Sequence, residues 1–318
     1  LITVLSPMAG VNDKTFRNLC LSMGADMVFT EMISVNGLVN GNKKSFEMLP
    51  DSEENAVIQL FGNNPEYFAR ASDVIRNCRP KWVDLNAGCP VPKVVKNGYG
   101  AALMRSPTLV RKLVETLASK GLPVSVKMRI GWEKEQNFME VAHAALDGGA
   151  FLVSIHGRTV EQGYAGKANW EPARMLKEKM PIKVGVSGDI FSASDALNAM
   201  TFTNADMVFV ARGAIGNPWI FRQIKEMTFG GKPTVITFKE RRDILKQHLL
   251  NSIEEHGIHG IITFRKFLAA YLKGLPSSHA VKVKMLQMSD FNSLTEVVNA
   301  YFDKLISCER GGVERGNT

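Results

Sequence analysis

Cys89 stands between a glycine and a proline in the stretch DLNAGCP, residues 84–90, where an apolar run ends. A thiol in that setting could be a small buried filler, a metal ligand, a nucleophile or a proton donor. Other polar residues close similar runs. Gln59 stands near the end of one, Asn86 of another, Lys127 and Arg129 of a third, and His156 and Arg158 of a fourth. Strand parity sharpens the pattern. In VSVKMRIG, Lys127 and Arg129 share one face while Val124, Val126 and Met128 take the other. In LVSIHGR, Ser154, His156 and Arg158 oppose Val153 and Ile155. One such lysine could be a satisfied structural residue. A lysine, a histidine, a glutamine and an asparagine, all at strand ends, point to a single polar site.

The elements that must position these residues follow one repeating pattern. A short β-branched run ends in glycine or polar residues, and an amphipathic helical segment follows. The spacing predicts strands over Thr3–Pro7, Met27–Met32, Ala56–Phe61, Trp82–Asn86, Val124–Arg129, Phe151–His156, Ile182–Ser187 and Met207–Ala211. Between them, sets such as Val110, Leu113, Val114 and Leu117 fall on one helical face. Strands alternating with helices call for a parallel sheet, and eight units match a closed (β/α)8 TIM barrel, with an open doubly wound sheet as the alternative. In such a barrel the active site lies at the carboxyl ends of the strands.

Those ends carry further signals. The loops after the seventh and eighth strands read SGDIFS and ARGAIGNPW; each offers glycine for close backbone approach, each leads into a helix, and Arg212 adds a charge. That is where barrels hold a phosphate group. The connection after the fourth strand is longer than its counterparts and holds Cys89, Lys93 and Lys96, as a lid or substrate platform would. Glu31 could be a hydrogen-bonding residue of the mouth or a structural acid.

Residues 1–232 are expected to form the barrel and residues 233–310 a small all-helical domain, with 311–318 a frayed tail. In the helical part Phe264, Phe267, Leu268, Tyr271 and Leu272 share a face, and so do Leu294, Val297, Val298, Tyr301, Phe302, Leu305 and Ile306. Lysines and arginines punctuate it, from Lys239 to Lys284. The net charge of +8 favours a polyanionic partner. No apolar run reaches transmembrane length, and the first residues read as a strand, not a signal peptide. Four scattered cysteines without a CxxC pair predict neither a zinc site nor a disulfide framework, and a reducing cytoplasmic setting. Cys20 and Cys78 read as buried hydrophobes and His143 as structural. His248, His256, His259 and His279 lack ligand spacing.

Together PMAGVNDKTFR, QLFG, DLNAGCPVPKVVKNGYGAALM, VKMRIGW, IHGRT, SGDI and ARGAIGNPWIF resemble the tRNA-dihydrouridine synthases, and FRKFLAAYLKG resembles their C-terminal domain. The resemblance implies an FMN-dependent enzyme that uses NADPH or NADH to reduce particular uridines of tRNA. It places the backbone of Pro7, Met8 and Ala9 along the flavin. Gln59 and Lys127 fall at its polar edge, and His156 beside both flavin and base. Ser187, Gly188, Asp189, Ala211 and Arg212 fall at its phosphate. Ser187 and Ala211 depart from the family's usual asparagine and glycine, and backbone contacts survive both changes. Cys89 is implied to give the proton to uracil C5 opposite a hydride at C6, and Asn86 to hold the uracil. Lys93, Lys96, Arg129 and Arg158 are implied to meet the RNA. The alternatives are a flavin-dependent reductase of free pyrimidines or other small molecules, which the net charge and basic helical part disfavour, and a non-catalytic RNA-binding protein, which the joint presence of Cys89, Lys127 and His156 disfavours.

Overall fold

The computed structural model describes residues 1–50, 55–133 and 136–314, with side chains through residue 309. Eight parallel strands close into a barrel in sequence order. They are β1 Ile2–Leu5, β2 Met27–Ser34, β3 Ala56–Phe61, β4 Val83–Ala87, β5 Val124–Arg129, β6 Leu152–His156, β7 Lys183–Ser187 and β8 Met207–Val210. The TIM-barrel expectation is borne out, and the open-sheet alternative falls because β1 pairs with β8. The alternating residues sort as their parity requires. Val124, Val126 and Met128 are buried on the outer face of β5, where the helix Pro107–Ser119 presents Val110, Leu113, Val114 and Leu117.

The amino end of the barrel interior is filled by apolar side chains. Phe29, Val57, Trp82, Leu152, Met207 and Phe209 form one buried cluster with Val4. The Phe29 ring meets Trp82 edge-on at 6.1 Å and Phe209 at 5.5 Å, the geometry aromatic quadrupoles favour. Gly185 makes room for this layer, because a Cβ there would meet the Phe209 ring. With one end sealed, only the carboxyl end is left for polar groups and ligand.

The chain divides into two compact units. One comprises Leu1–Ala214 with Trp219–Lys232, and the other Ile215–Pro218 with Pro233–Thr318. The second unit contains the helices Phe238–His256, His259–Tyr271, Ser278–Gln287 and Phe291–Glu314. Its core joins Leu245 and Leu249 to Phe264, Phe267, Leu268, Tyr271, Leu294, Val298 and Phe302. His248 is buried among these rings with Nδ1 at 3.1 Å from the Tyr271 hydroxyl, and burial pushes its pKa down to about 3. Part of the basic character is used internally. Arg241 donates to the Lys273 carbonyl at 3.0 Å, and Arg242 pairs with Asp303 at 2.6 Å. Of the tail expected to fray, residues 311–314 continue the last helix and 315–318 lie outside the described residues. Among the described residues no helix is long and apolar enough to cross a membrane, and no cluster of three His, Cys, Asp or Glu could hold a metal. None of the four cysteines is in a disulfide; Cys20 is buried as expected, whereas Cys78 is only half-buried.

Candidate active site

Strand register makes the polar residues lateral neighbours. Gln59, Asp84 and Ser125 stand side by side on β3, β4 and β5. Asn86, Lys127 and Ser154 do so one step nearer the mouth, and Arg129, His156 and Ser187 one step further. Gln59 Nε2 donates to Asp84 Oδ2 at 2.7 Å, and Asn86 Nδ2 donates to Gln59 Oε1 at 2.8 Å. Asn86 Oδ1 accepts the backbone N–H of Gly88 at 3.2 Å and of Cys89 at 3.0 Å. The amide NH2 also faces Met32 Sδ at 3.7 Å. Both donors and both lone pairs of Asn86 are therefore engaged. Asn86, which the resemblance implies for the uracil, holds the turn that carries Cys89.

That turn is fixed from several sides. Arg129 Nε donates to the Gly88 carbonyl at 3.0 Å, and the Cys89 carbonyl accepts the Ala101 N–H at 3.0 Å. Burial pushes the Cys89 thiol above its ordinary pKa, although the Val91 N–H and the Arg129 charge pull the other way. The thiol thus keeps its proton at neutral pH. The segment beyond it folds into the helix Pro92–Lys96 and a 3-10 turn over Gly100–Arg105, with Lys93 and Lys96 exposed.

Lys127 carries the central cation. Burial lowers its pKa, the Asp84 carboxylate raises it and Arg129 lowers it. Burial raises the Asp84 pKa, against hydrogen bonds from Ser125 and Gln59 and the charge of Lys127. His156 is held neutral. Burial is the main cause, and Lys127, Arg129, Arg158 and Arg212 all oppose a further positive charge. Arg158 Nη1 lies 3.4 Å from His156 Nε2. A guanidinium can only donate, so Nε2 is the acceptor and Nδ1 carries the proton.

Two arginines expected at RNA phosphates are turned inward. Arg129 is 3% exposed and Arg158 2%. Arg129 Nη1 donates to the carbonyls of Thr159 and Gly163. Arg158 donates to those of Ala165 and Gly166 and pairs through Nη2 with both oxygens of Asp189, at 2.8 and 2.7 Å. They staple the segment 159–168 over the mouth. Tyr164, on that segment, is exposed; its ring centre lies 6.2 Å from that of His156, and the Arg212 guanidinium lies 4.6 Å above it. Asp189 sits at φ 54°, in the left-handed region. Burial raises its pKa, but the Ala168 N–H and the Arg158 and Arg212 charges outweigh that, and the net shift is downward.

Ser187, Gly188, Asp189, Ala211 and Arg212 line one small pocket with His156, Tyr164 and Phe209. Gly213 lets its two loops meet, because a Cβ there would overlap the Ile190 carbonyl. The helix Ala193–Thr203 after β7 is capped by its own residues. Ser192 accepts the Asp195 N–H, and the Asp195 carboxylate accepts those of Phe191 and Ser192. That helix start is therefore capped by the Asp195 carboxylate. The β1 end, Pro7–Ala9, is set by Glu31, which accepts the Gly10 N–H at 2.5 Å, and by buried Asn12, which donates to the Ser6 and Phe29 carbonyls. Glu31 thereby gains a structural role.

A family model described as dihydrouridine synthase matches residues 4–306. The chain belongs to the dihydrouridine synthase family. It is 34% identical to tRNA-dihydrouridine synthase B of Shewanella oneidensis, over 95% of this chain and 96% of that one. It is 33% identical to a probable tRNA-dihydrouridine synthase of Aquifex aeolicus, over 92% and 93%. Among solved structures, histamine dehydrogenase of Rhizobium sp. 4-9 superposes with a TM-score of 0.53 at 12% identity, over 96% of this chain and 62% of that one, a likeness of fold alone.

The sequence reading missed three residues that matter in this dihydrouridine synthase site: Asp84, Asn12 and Tyr164. Asp84 had a visible signal, a carboxylate inside an otherwise apolar strand run.

Proposed function

We propose that the protein reduces the C5=C6 bond of specific uridines in tRNA, with Cys89 as the proton donor. The observation that carries this reading is Cys89 itself. It stands on a turn anchored by Asn86, Arg129 and Ala101, at the carboxyl end of a barrel whose mouth holds Lys127 and Gln59, and burial raises the pKa of its thiol, as a proton donor requires. Family membership and the names of its relatives support the substrate class.

The mouth fits FMN on its own chemistry. The Ser154 hydroxyl is buried there without a partner. Gln59 keeps one N–H and one lone pair beyond its bonds to Asp84 and Asn86, matching an edge with one acceptor and one donor. Lys127 suits a ring system that gains negative charge. FMN held here, recharged by NADPH or NADH, would supply the hydride for uracil C6. Pro7, Met8 and Ala9 would border it through their backbone and His156 would donate from Nδ1. Ser187, Gly188, Asp189, Ala211 and Arg212 would surround its phosphate, with Asp189 contributing backbone only because its carboxylate is taken.

Cys89 then gives its proton to C5 from the opposite side of the base. Arg129 and Arg158 act by holding the turn and the Tyr164 segment, not by meeting phosphate. Lys93 and Lys96, exposed beside the mouth, would meet the RNA backbone, and cations of the helical unit would also meet phosphates. The uridine must leave its stack to reach Cys89.

Dihydrouridine mapping in host tRNA with and without the protein tests this. Loss of dihydrouridine at defined positions is expected. An unchanged map, or free uridine reduced as efficiently as tRNA by purified protein, would overturn it in favour of a small-molecule reductase.

A further inference from the structure

The side chains around Asp84 form one continuous line across three strands. Trp82 Nε1 donates to Ser125 Oγ at 2.9 Å, and Ser125 Oγ donates to Asp84 Oδ1 at 2.5 Å. From the other side, the Gly88 and Cys89 N–H groups donate to Asn86 Oδ1, Asn86 Nδ2 donates to Gln59 Oε1, and Gln59 Nε2 donates to Asp84 Oδ2. Trp82, Ser125, Asp84, Gln59 and Asn86 are all buried, so solvent does not readily replace a lost link.

Both ends of this line are obligate donors, since an indole N–H and a backbone N–H can only give a hydrogen. Hydroxyls and amides pass direction along, taking on one side and giving on the other. A line with a donor at each end needs one member that accepts on both sides. A carboxylate does so, and Asp84 stands where the direction reverses. We infer that Asp84 is a positioning residue: as a double acceptor it fixes which way round the Gln59 and Asn86 amides sit, and so holds the turn that presents Cys89. Its functional meaning rests on Cys89 being the proton donor; the directional claim does not.

The isosteric change Asp84→Asn keeps the shape and removes the double acceptor. The amide introduced there must still accept from Ser125, so its NH2 turns toward Gln59. Gln59 and Asn86 then turn over in sequence, and Asn86 meets the Gly88 and Cys89 N–H groups with its own NH2. Adding Asn86→Asp moves the reversal point two residues along. Gln59 can then donate to the carboxylate introduced at position 86, whose other oxygen accepts the two backbone N–H groups, at unchanged net charge.

The test is amide hydrogen exchange at Gly88 and Cys89 in the full chain, which needs no tRNA turnover. Asp84→Asn should speed exchange at both amides by about tenfold or more, and Asp84→Asn/Asn86→Asp should return them to within about threefold of the parent. Should Asp84→Asn not fold, the double variant reads the claim by itself, because only the moved reversal point would let it fold with parent-like exchange. Parent-like exchange in Asp84→Asn, or a double variant that exchanges as fast as that single variant or does not fold, would overturn the inference. Failure of Cys89 as an acid would appear instead as full turnover by Cys89→Ala, with these exchange rates untouched.

Discussion

A Cβ placed on Gly100 would stand 2.8 Å from the Cys89 carbonyl oxygen and 3.1 Å from the Cys89 Cβ. Gly100 also sits at φ 60°, where side chains are strained. Gly100→Ala should therefore push the Cys89 turn outward while leaving the flavin site alone. A fall in kcat of roughly tenfold to a hundredfold is expected, the scale for a displacement near 1 Å, with FMN content unchanged. Steady-state kinetics beside flavin absorbance will check this, and a parent-like kcat would show that the turn tolerates the shift.

Cys89 is expected to titrate above the ordinary thiol value of about 8.5, since burial raises its pKa. Its alkylation by iodoacetamide should stay slow through neutrality and rise only at higher pH. Cys89→Ala should take up FMN and be reduced by NADPH, yet form dihydrouridine about 10²–10⁴-fold more slowly. A thiol that reacts rapidly at pH 7 would be a thiolate, which cannot serve as the acid.

Lys127→Met replaces the central cation by an apolar chain of similar length. The reduction potential of the bound flavin should fall by on the order of 30–60 mV, or about 1.4–2.8 kcal/mol of lost stabilisation of the reduced form. Spectroelectrochemical titration reads this directly. An unshifted potential would remove Lys127 from the flavin's charge balance.

Arg158→Ala leaves the Asp189 carboxylate in its left-handed conformation without its bidentate partner. A loss of about 2 kcal/mol in stability is expected, with faster proteolysis within residues 159–168. The pH dependence has a definite sign. The folded pKa of Asp189 is depressed, so its contribution is full above the unfolded value of about 3.9. It is lost as pH falls through the lower folded value. In Arg158→Ala that acid-side dependence should shrink, which thermal unfolding at pH 3 to 6 will show.

The barrel was legible because period-two alternation sets which face is polar, and that pattern is local. Lys127 and Arg129 against Val126 and Met128 needed no partner strand to be read. Depth was not legible in the same way. Parity put Arg129 and Arg158 on the polar face, but whether a long cation reaches solvent or folds back onto carbonyls depends on the segment 159–168 above it. Asp84 and Asn86 drew different attention for the same reason. Their partners Gln59 and Ser125 lie on other strands, and only register brings them together. The self-capped helix after β7 was within reach, since Ser192 and Asp195 have the spacing of a capping box.

The inward turn of Arg129 and Arg158 has a consequence for how salt should act on the complex with RNA. A cation weakens its hold on a phosphate as ionic strength rises, because binding frees condensed counterions and salt opposes that release. Arg158, paired with the Asp189 carboxylate, and Arg129, buried against carbonyl groups, are not placed to displace counterions from a phosphate. The slope of affinity against salt should therefore count Lys93, Lys96 and other solvent-facing cations, and fall short of what the isoelectric point near 9.3 would suggest.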